Sequence, residues 1–325
     1  MEKRVKRKIW LDLLRAVAIF VVALGHFTAK TNMVQMIIAP IMLPLFYIIS
    51  GILYKPWGGT GFWNKFILPY WIPYIVFSLY PLYLVKDFIQ GKYDAALTRS
   101  VEFFNGEYSW FVPSFVVSNL VFNGICRMLP GKRNRLLMGS ICLFAGVLIK
   151  DIQLFDFWCI DAALVGTFYM VIGVLIADQI DYLKYLHLGW IAVGIGTYGT
   201  IVALCISLYD TLPRYDFHNV IYCNYFLCLM ASLIGCILLV SVFCRIESET
   251  WLTRLWGMVG RNTLVIYLMH FLLKKYMALV LNPLLPYNAE VLSSAVFYAI
   301  LDCIAGAIIG EATREKIPIL HGRYR

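Results

Sequence analysis

Read for hydrophobic and polar positions, the chain is a succession of long apolar runs separated by short polar connectors. Ten runs are read as spanning helices, at about 9–27, 34–54, 66–85, 108–129, 136–149, 158–177, 188–209, 220–244, 260–281 and 291–313. A helix needs ~20 residues to cross a hydrocarbon core, so the fifth run is short. Pro44 in the second run predicts a kink, and Ser50-Gly51 a close approach of backbones. Pro69, Pro73 and Pro81 predict that the third is a broken helix lining a cavity. Residues 86–107 are expected to form the longest polar connector, on the outer side. ESETWLTRLWGMVGR, before the ninth run, has the pattern of an amphipathic stretch along the interface. Gly306-x-x-x-Gly310 has helix-packing spacing.

Composition agrees with this pattern. Hydrophobic residues make up 61% of the chain and charged residues 14%, and the mean hydropathy is +0.75. Soluble domains carry about 25% charged residues. The expectation is an all-α polytopic membrane protein, a single transmembrane domain over 1–325 without a separate soluble domain. The net charge of +9 raises the question of nucleic acid. Its distribution excludes that partner, because the basic residues sit between apolar runs and form no basic domain. With both termini cytoplasmic, inner segments hold nineteen Lys/Arg and outer segments six, while Arg15, Lys274 and Lys275 fall within helices. That asymmetry follows the positive-inside rule. The basic start and first apolar run imitate a signal peptide, but Asp12 and Arg15 interrupt the run, so a retained anchor is expected. Nine cysteines lie mostly within or beside apolar runs, with no CxxC or Cys/His spacing, and read as small packing residues without a metal.

The first run carries the informative chemistry. Arg15 and His26 are eleven residues apart, three turns plus roughly 20°. They share one face and lie ~16 Å apart along the axis. Asp12 is within side-chain reach of Arg15. A charge at the centre of a bilayer costs at least ~2.5–3.5 kcal/mol, so each needs a reason. Taken singly, Asp12 and Arg15 also suit a self-neutralising pair near the interface, His26 an interfacial residue with a satisfied hydrogen bond, and His270 a hydrogen bond between helices. Lys274 and Lys275 suit snorkelling. Ser50, Tyr47, Trp110 and Tyr267 are candidate cavity residues, and Asp161, Asp302 and Glu311 are further acids in or near spans. A neutral histidine that accepts a hydroxyl proton beside an arginine that holds oxygen anions suits acyl transfer to an alcohol. The same groups suit a proton-coupled transporter or flippase for a glycan precursor.

Five segments, in order, resemble one family. LDLLRAVAIFVVALGHF (11–27) is similar to the first-helix Arg–His signature of the acyltransferase-3 family of bacterial integral-membrane O-acyltransferases. PLFYIISGILY (44–54), FWNKFILPYWIPY (62–74), YSWFVPSFVVSNL (108–120) and GRNTLVIYLMH (260–270) resemble its later segments. The resemblance implies transfer of an acyl group, usually acetyl, from cytoplasmic acetyl-CoA to a hydroxyl on an extracytoplasmic or lipid-linked glycan, such as an exopolysaccharide or cell-wall polymer. It implies a multi-pass cell-membrane location. It makes His26 the catalytic histidine and Arg15 its partner in the motif. Asp12, Ser50, Trp110, Tyr267 and His270 become candidates for binding substrate. Several family members carry two arginines near the start of the third helix, where this chain has only Lys65. By charge and topology, the candidates for holding CoA phosphates are Lys65, Arg127, Lys132, Arg133 and Arg261.

Overall fold

In the computed structural model, residues 8–30, 32–57, 68–77, 80–106, 109–152, 157–208, 215–283 and 285–318 are described. They are almost entirely helical. In chain order the helices are α1 (Ile9–Phe27), α2 (Met33–Met42), α3 (Pro44–Ile52), α4 (Leu68–Phe77), α5 (Tyr80–Ile89), α6 (Tyr93–Asn105), α7 (Phe111–Met128) and α8 (Lys132–Asp151). There follow α9 (Ile160–Ala177), α10 (Ile180–Lys184), α11 (Leu188–Ser207), α12 (Tyr225–Phe243), α13 (Trp251–Arg261), α14 (Thr263–Leu281) and α15 (Leu292–Lys316). Between α11 and α12, strands β1 (Tyr215–Asp216) and β2 (Ile221–Tyr222) pair antiparallel, Tyr215 opposite Tyr222.

Eight segments among the described residues are long and apolar enough to cross a membrane, which makes the chain an all-α polytopic membrane protein. They account for eight of the ten expected spans. The third expected span consists of the ten-residue apolar helix α4 and then α5. The fifth forms α8, a 20-residue helix with Lys132, Arg133 and Arg135 in its first turn and Lys150 and Asp151 at its end. In the second span, α2 stops at Met42 and α3 starts at Pro44, where a proline loses no helical hydrogen bond. The polar connector expected at 86–107 is largely helical among its described residues. Most of it forms α6, paired with α5 through an ion pair from Arg99 Nε to Asp87 Oδ2 at 2.5 Å. The eighth helix begins at Tyr225 rather than 220, because β2 occupies Ile221–Tyr222 and Asn224 caps the helix by accepting from the Leu227 amide.

Two compact units are distinguished by internal packing. The first comprises 1–49, 178–213 and 223–311. Here α1 is the central element, largely buried, and packs on α2, α12, α13 and α14. The amphipathic stretch is α13, opened by a capping box between Thr250 and Thr253. It lies against α1 at a glycine: a Cβ on Gly260 would sit 2.6 Å from the Asp12 carbonyl carbon. The Gly306/Gly310 spacing works as expected, with Gly306 against Ile266 of α14 and Gly310 against Asn262.

The second unit comprises 50–177, 214–222 and 312–325. Its core is α7, α8 and α9. Gly51 meets α9 so closely that a Cβ would fall 2.9 Å from the Gly173 Cα, the predicted backbone approach. Ser118 Oγ donates to Ala163 O at 2.7 Å and ties α7 to α9.

Candidate active site

At the C-terminal end of α1 the helix runs out of amide donors. Leu24 O still accepts from the Thr28 amide, and each of the last four carbonyls has a side-chain donor. Leu24 O accepts from the Thr28 hydroxyl at 2.9 Å, and Gly25 O from Gln35 Nε2 of α2 at 2.6 Å. His26 O accepts from Lys274 Nζ of α14, and Phe27 O from the Tyr287 hydroxyl at 2.6 Å. Tyr287 lies in the connector between α14 and α15, where burial pushes its phenol pKa up and keeps it a donor. A cation at a helix C-terminus also meets the negative end of the dipole.

On this fixed end the His26 imidazole is exposed and its ring centroid lies 4.6 Å from that of His270. Phe271 packs against both rings, at 5.0 Å from His26 and 3.9 Å from His270. His270 is 3% exposed. Its Nδ1 contacts the Tyr267 carbonyl, and its Nε2 has no hydrogen-bond partner among the described residues. The Tyr267 ring lies 5.6 Å from His270. Lys274 is one turn beyond His270, its ammonium 5.0 Å from the Phe27 ring centroid and 5.5 Å from that of Tyr287. Asp302 on α15 is fully buried, with neither carboxyl oxygen hydrogen-bonded among the described residues.

Arg15 is in contact with Asp12, Nη1 to Oδ1 at 3.7 Å, with a third of its side chain exposed and Asp12 almost none. Arg261 closes α13 and donates from Nε to Glu311 Oε1 at 3.2 Å, and Asn262 donates to the same oxygen. These residues, with His26, Tyr267 and His270, belong to the first unit.

Ser50 and Trp110 belong to the second. Ser50 Oγ donates to Asn119 Oδ1 at 3.3 Å. One turn on, the Tyr54 hydroxyl donates to Asn123 Oδ1 at 2.7 Å, and Arg127 Nη1 donates to Trp57 O at 3.4 Å. A polar seam therefore runs down α7 at four-residue spacing. Trp110 stacks on His218 of the β-hairpin, centroids 4.4 Å apart and planes 18° apart. Lys132 and Arg133 are exposed at the start of α8, where Arg135 donates to Cys126 O of α7 and to Leu129 O just beyond its end. Lys65 lies outside the described residues.

Sequence reasoning named both histidines but not their contact. It assigned Lys274 to snorkelling, whereas the ammonium turns onto His26 O. The available signal was the spacing of Tyr267, His270 and Lys274, which places all three on one helix face.

The fold and this cluster define a polytopic membrane protein with titratable side chains gathered inside its spans. A family model for an acyltransferase domain, that of the acyltransferase-3 family, matches residues 8–309. The chain belongs to this family and is an acyltransferase. No curated protein and no solved structure matches it.

Proposed function

We propose that this acyltransferase moves an acyl group, acetyl foremost, from cytoplasmic acyl-CoA to a hydroxyl of an extracytoplasmic or lipid-linked glycan. The observation that carries the reading is the exposed His26 imidazole on the capped end of α1, against a buried His270 with an unused ring nitrogen. His26 accepts the acceptor hydroxyl's proton as its oxygen attacks the thioester carbonyl carbon. The C–S bond breaks, and the CoA thiolate leaves and takes up the proton. In the covalent variant His26 first carries the acyl group itself. Membership of an acyltransferase family favours this over the transporter reading, which needs no acyl donor.

Arg15, ~16 Å from His26 along the helix, is too far to share that proton and suits the phosphate or pantetheine part of CoA. Arg127, Lys132 and Arg133 suit phosphate by charge. Arg261 is already paired with Glu311 and suits a structural role better.

The test uses purified protein in liposomes with acetyl-labelled CoA and a panel of glycans, following CoA release and label transfer. Wild type should turn over, and His26→Ala should fall by roughly 10²–10⁴-fold, the usual weight of a general base. Full activity in a well-folded His26→Ala protein would remove His26 from the reaction. CoA release without label on any glycan would remove the acceptor class while leaving acyl transfer intact.

A further inference from the structure

Three of the cysteines read as packing residues come together at one place. Cys205 near the end of α11, Cys223 between β2 and α12, and Cys228 in the first turn of α12 converge. All three Sγ atoms lie within 4.8 Å of one another, and those of Cys223 and Cys228 are 3.6 Å apart. Their sequence spacing gave no sign of this, because Cys205 joins the other two only through the fold. Cys205 and Cys228 are buried and Cys223 is half-buried, so the cluster has one accessible edge. Met36 of α2 and Val202 are buried with Cys205, and Tyr198, Ile201, Ile206, Cys223 and Leu227 pack against them.

Cys223 and Cys228 gain only a weak S–H···S contact from each other, whereas a metal ion would gain three strong ligands at once. At a zinc–sulfur distance of ~2.3 Å, tetrahedral ligands sit roughly 3.8 Å apart, so this triangle closes on an ion with shifts below about 1 Å. Among the described residues this is the only cluster of three or more His, Cys, Asp or Glu ligand atoms gathered closely enough to hold an ion.

We propose that Cys205, Cys223 and Cys228 form a thiolate site for one soft d¹⁰ cation, zinc(II) or copper(I). Three sulfurs complete a trigonal copper(I) site, and Met36, packed in the same cluster as Cys205, carries a thioether that could serve as a further soft donor. Zinc(II) takes a water as fourth ligand at the edge left by Cys223. Binding deprotonates thiols, so uptake releases protons and strengthens as pH rises. The ion ties the end of α11 to the start of α12 across the intervening hairpin. The site is independent of the acyl-transfer reading.

Full-length protein in nanodiscs, reduced with a non-thiol reductant, is loaded separately with zinc(II) and with copper(I). After gel filtration the bound metal is counted by mass spectrometry. The expected result in one arm is about one equivalent, lost in Cys205→Ser, Cys223→Ser and Cys228→Ser and retained in the buried-thiol control Cys303→Ser. Retention in the zinc arm alone identifies zinc. Retention in the copper arm, weakened by Met36→Leu, identifies copper. If a serine variant fails to fold, the wild type decides, since bound metal must protect Cys223 from alkylation. Failure of both arms to retain metal overturns the proposal, as does loss in Cys303→Ser as large as in the three ligand variants. Recovery of Cys223 and Cys228 as a disulfide, with no metal taken up after reduction, also overturns it.

Discussion

Gly257 and Gly260 lie one turn apart on α13, and the same substitution at each should have opposite effects. A Cβ at Gly260 would stand 2.6 Å from the Asp12 carbonyl carbon and closer still to its oxygen. Carbon atoms rest at ~3.5–4.0 Å, so α13 must withdraw from α1 by at least roughly 1 Å. Backbone cannot rotate aside as a side-chain tip does. Over-packing of this kind costs about 1–3 kcal/mol. At Gly257 the nearest atoms to a new Cβ are Arg261 Nη1 at 3.7 Å and Asp12 Cβ at 3.9 Å, ordinary contact distances. There Gly257→Ala gains helix propensity, about 0.8–1 kcal/mol. The two variants should therefore differ by roughly 2–4 kcal/mol. Intrinsic tryptophan fluorescence during unfolding of the nanodisc-embedded protein measures the difference. Turnover of labelled acyl-CoA should fall in Gly260→Ala, which displaces the segment carrying Asp12 and Arg15, and hold in Gly257→Ala. A Gly260→Ala protein as stable as wild type, or equal losses in both variants, would refute the reasoning.

Removing single partners around α1 should give graded losses. Lys274→Met removes a charge-assisted donor from His26 O, so it should lower stability by about 1.5–3 kcal/mol and reduce turnover. Lys275→Met, at an exposed neighbour, should change neither, and both are read by unfolding and acyl-CoA turnover side by side. Tyr287→Phe removes only the neutral bond to Phe27 O and should cost ~0.5–1.5 kcal/mol in the same unfolding assay. Asn123→Leu leaves the Tyr54 hydroxyl without its acceptor and should cost ~1–3 kcal/mol, with the loss recovered in part by adding Tyr54→Phe.

Much of the fold was legible because membrane helices announce themselves by continuous apolar length. α1, α7, α9 and α14 fall close to where the runs place them, and Pro44 breaks the second span as its missing amide requires. The helix inside the polar connector 86–107 was not legible from polarity alone, because helix propensity was not weighed there. α6 has low hydrophobicity yet ends in a normal helical way, with Gly106 in the left-handed conformation at φ 83°. Within the site, Arg15 and Asp12 were legible as local neighbours. The contact of His26 with His270 is a meeting of helices far apart in sequence, and helical periodicity says nothing about which helices meet. The thiol triangle was hidden for the same reason.

The four donors on the last turn of α1 come from Thr28, from α2, from α14 and from the connector after it. With its backbone so fixed, His26 keeps only its two side-chain torsions, so in the proposed reaction those alone have to settle before attack. The conformational freedom that a mobile loop would lose on every turnover is here lost once, when the chain folds. On the proposed reading, precision resides in the protein's own helix end and not in the grip on the substrate, which is the arrangement a large, variable acceptor calls for.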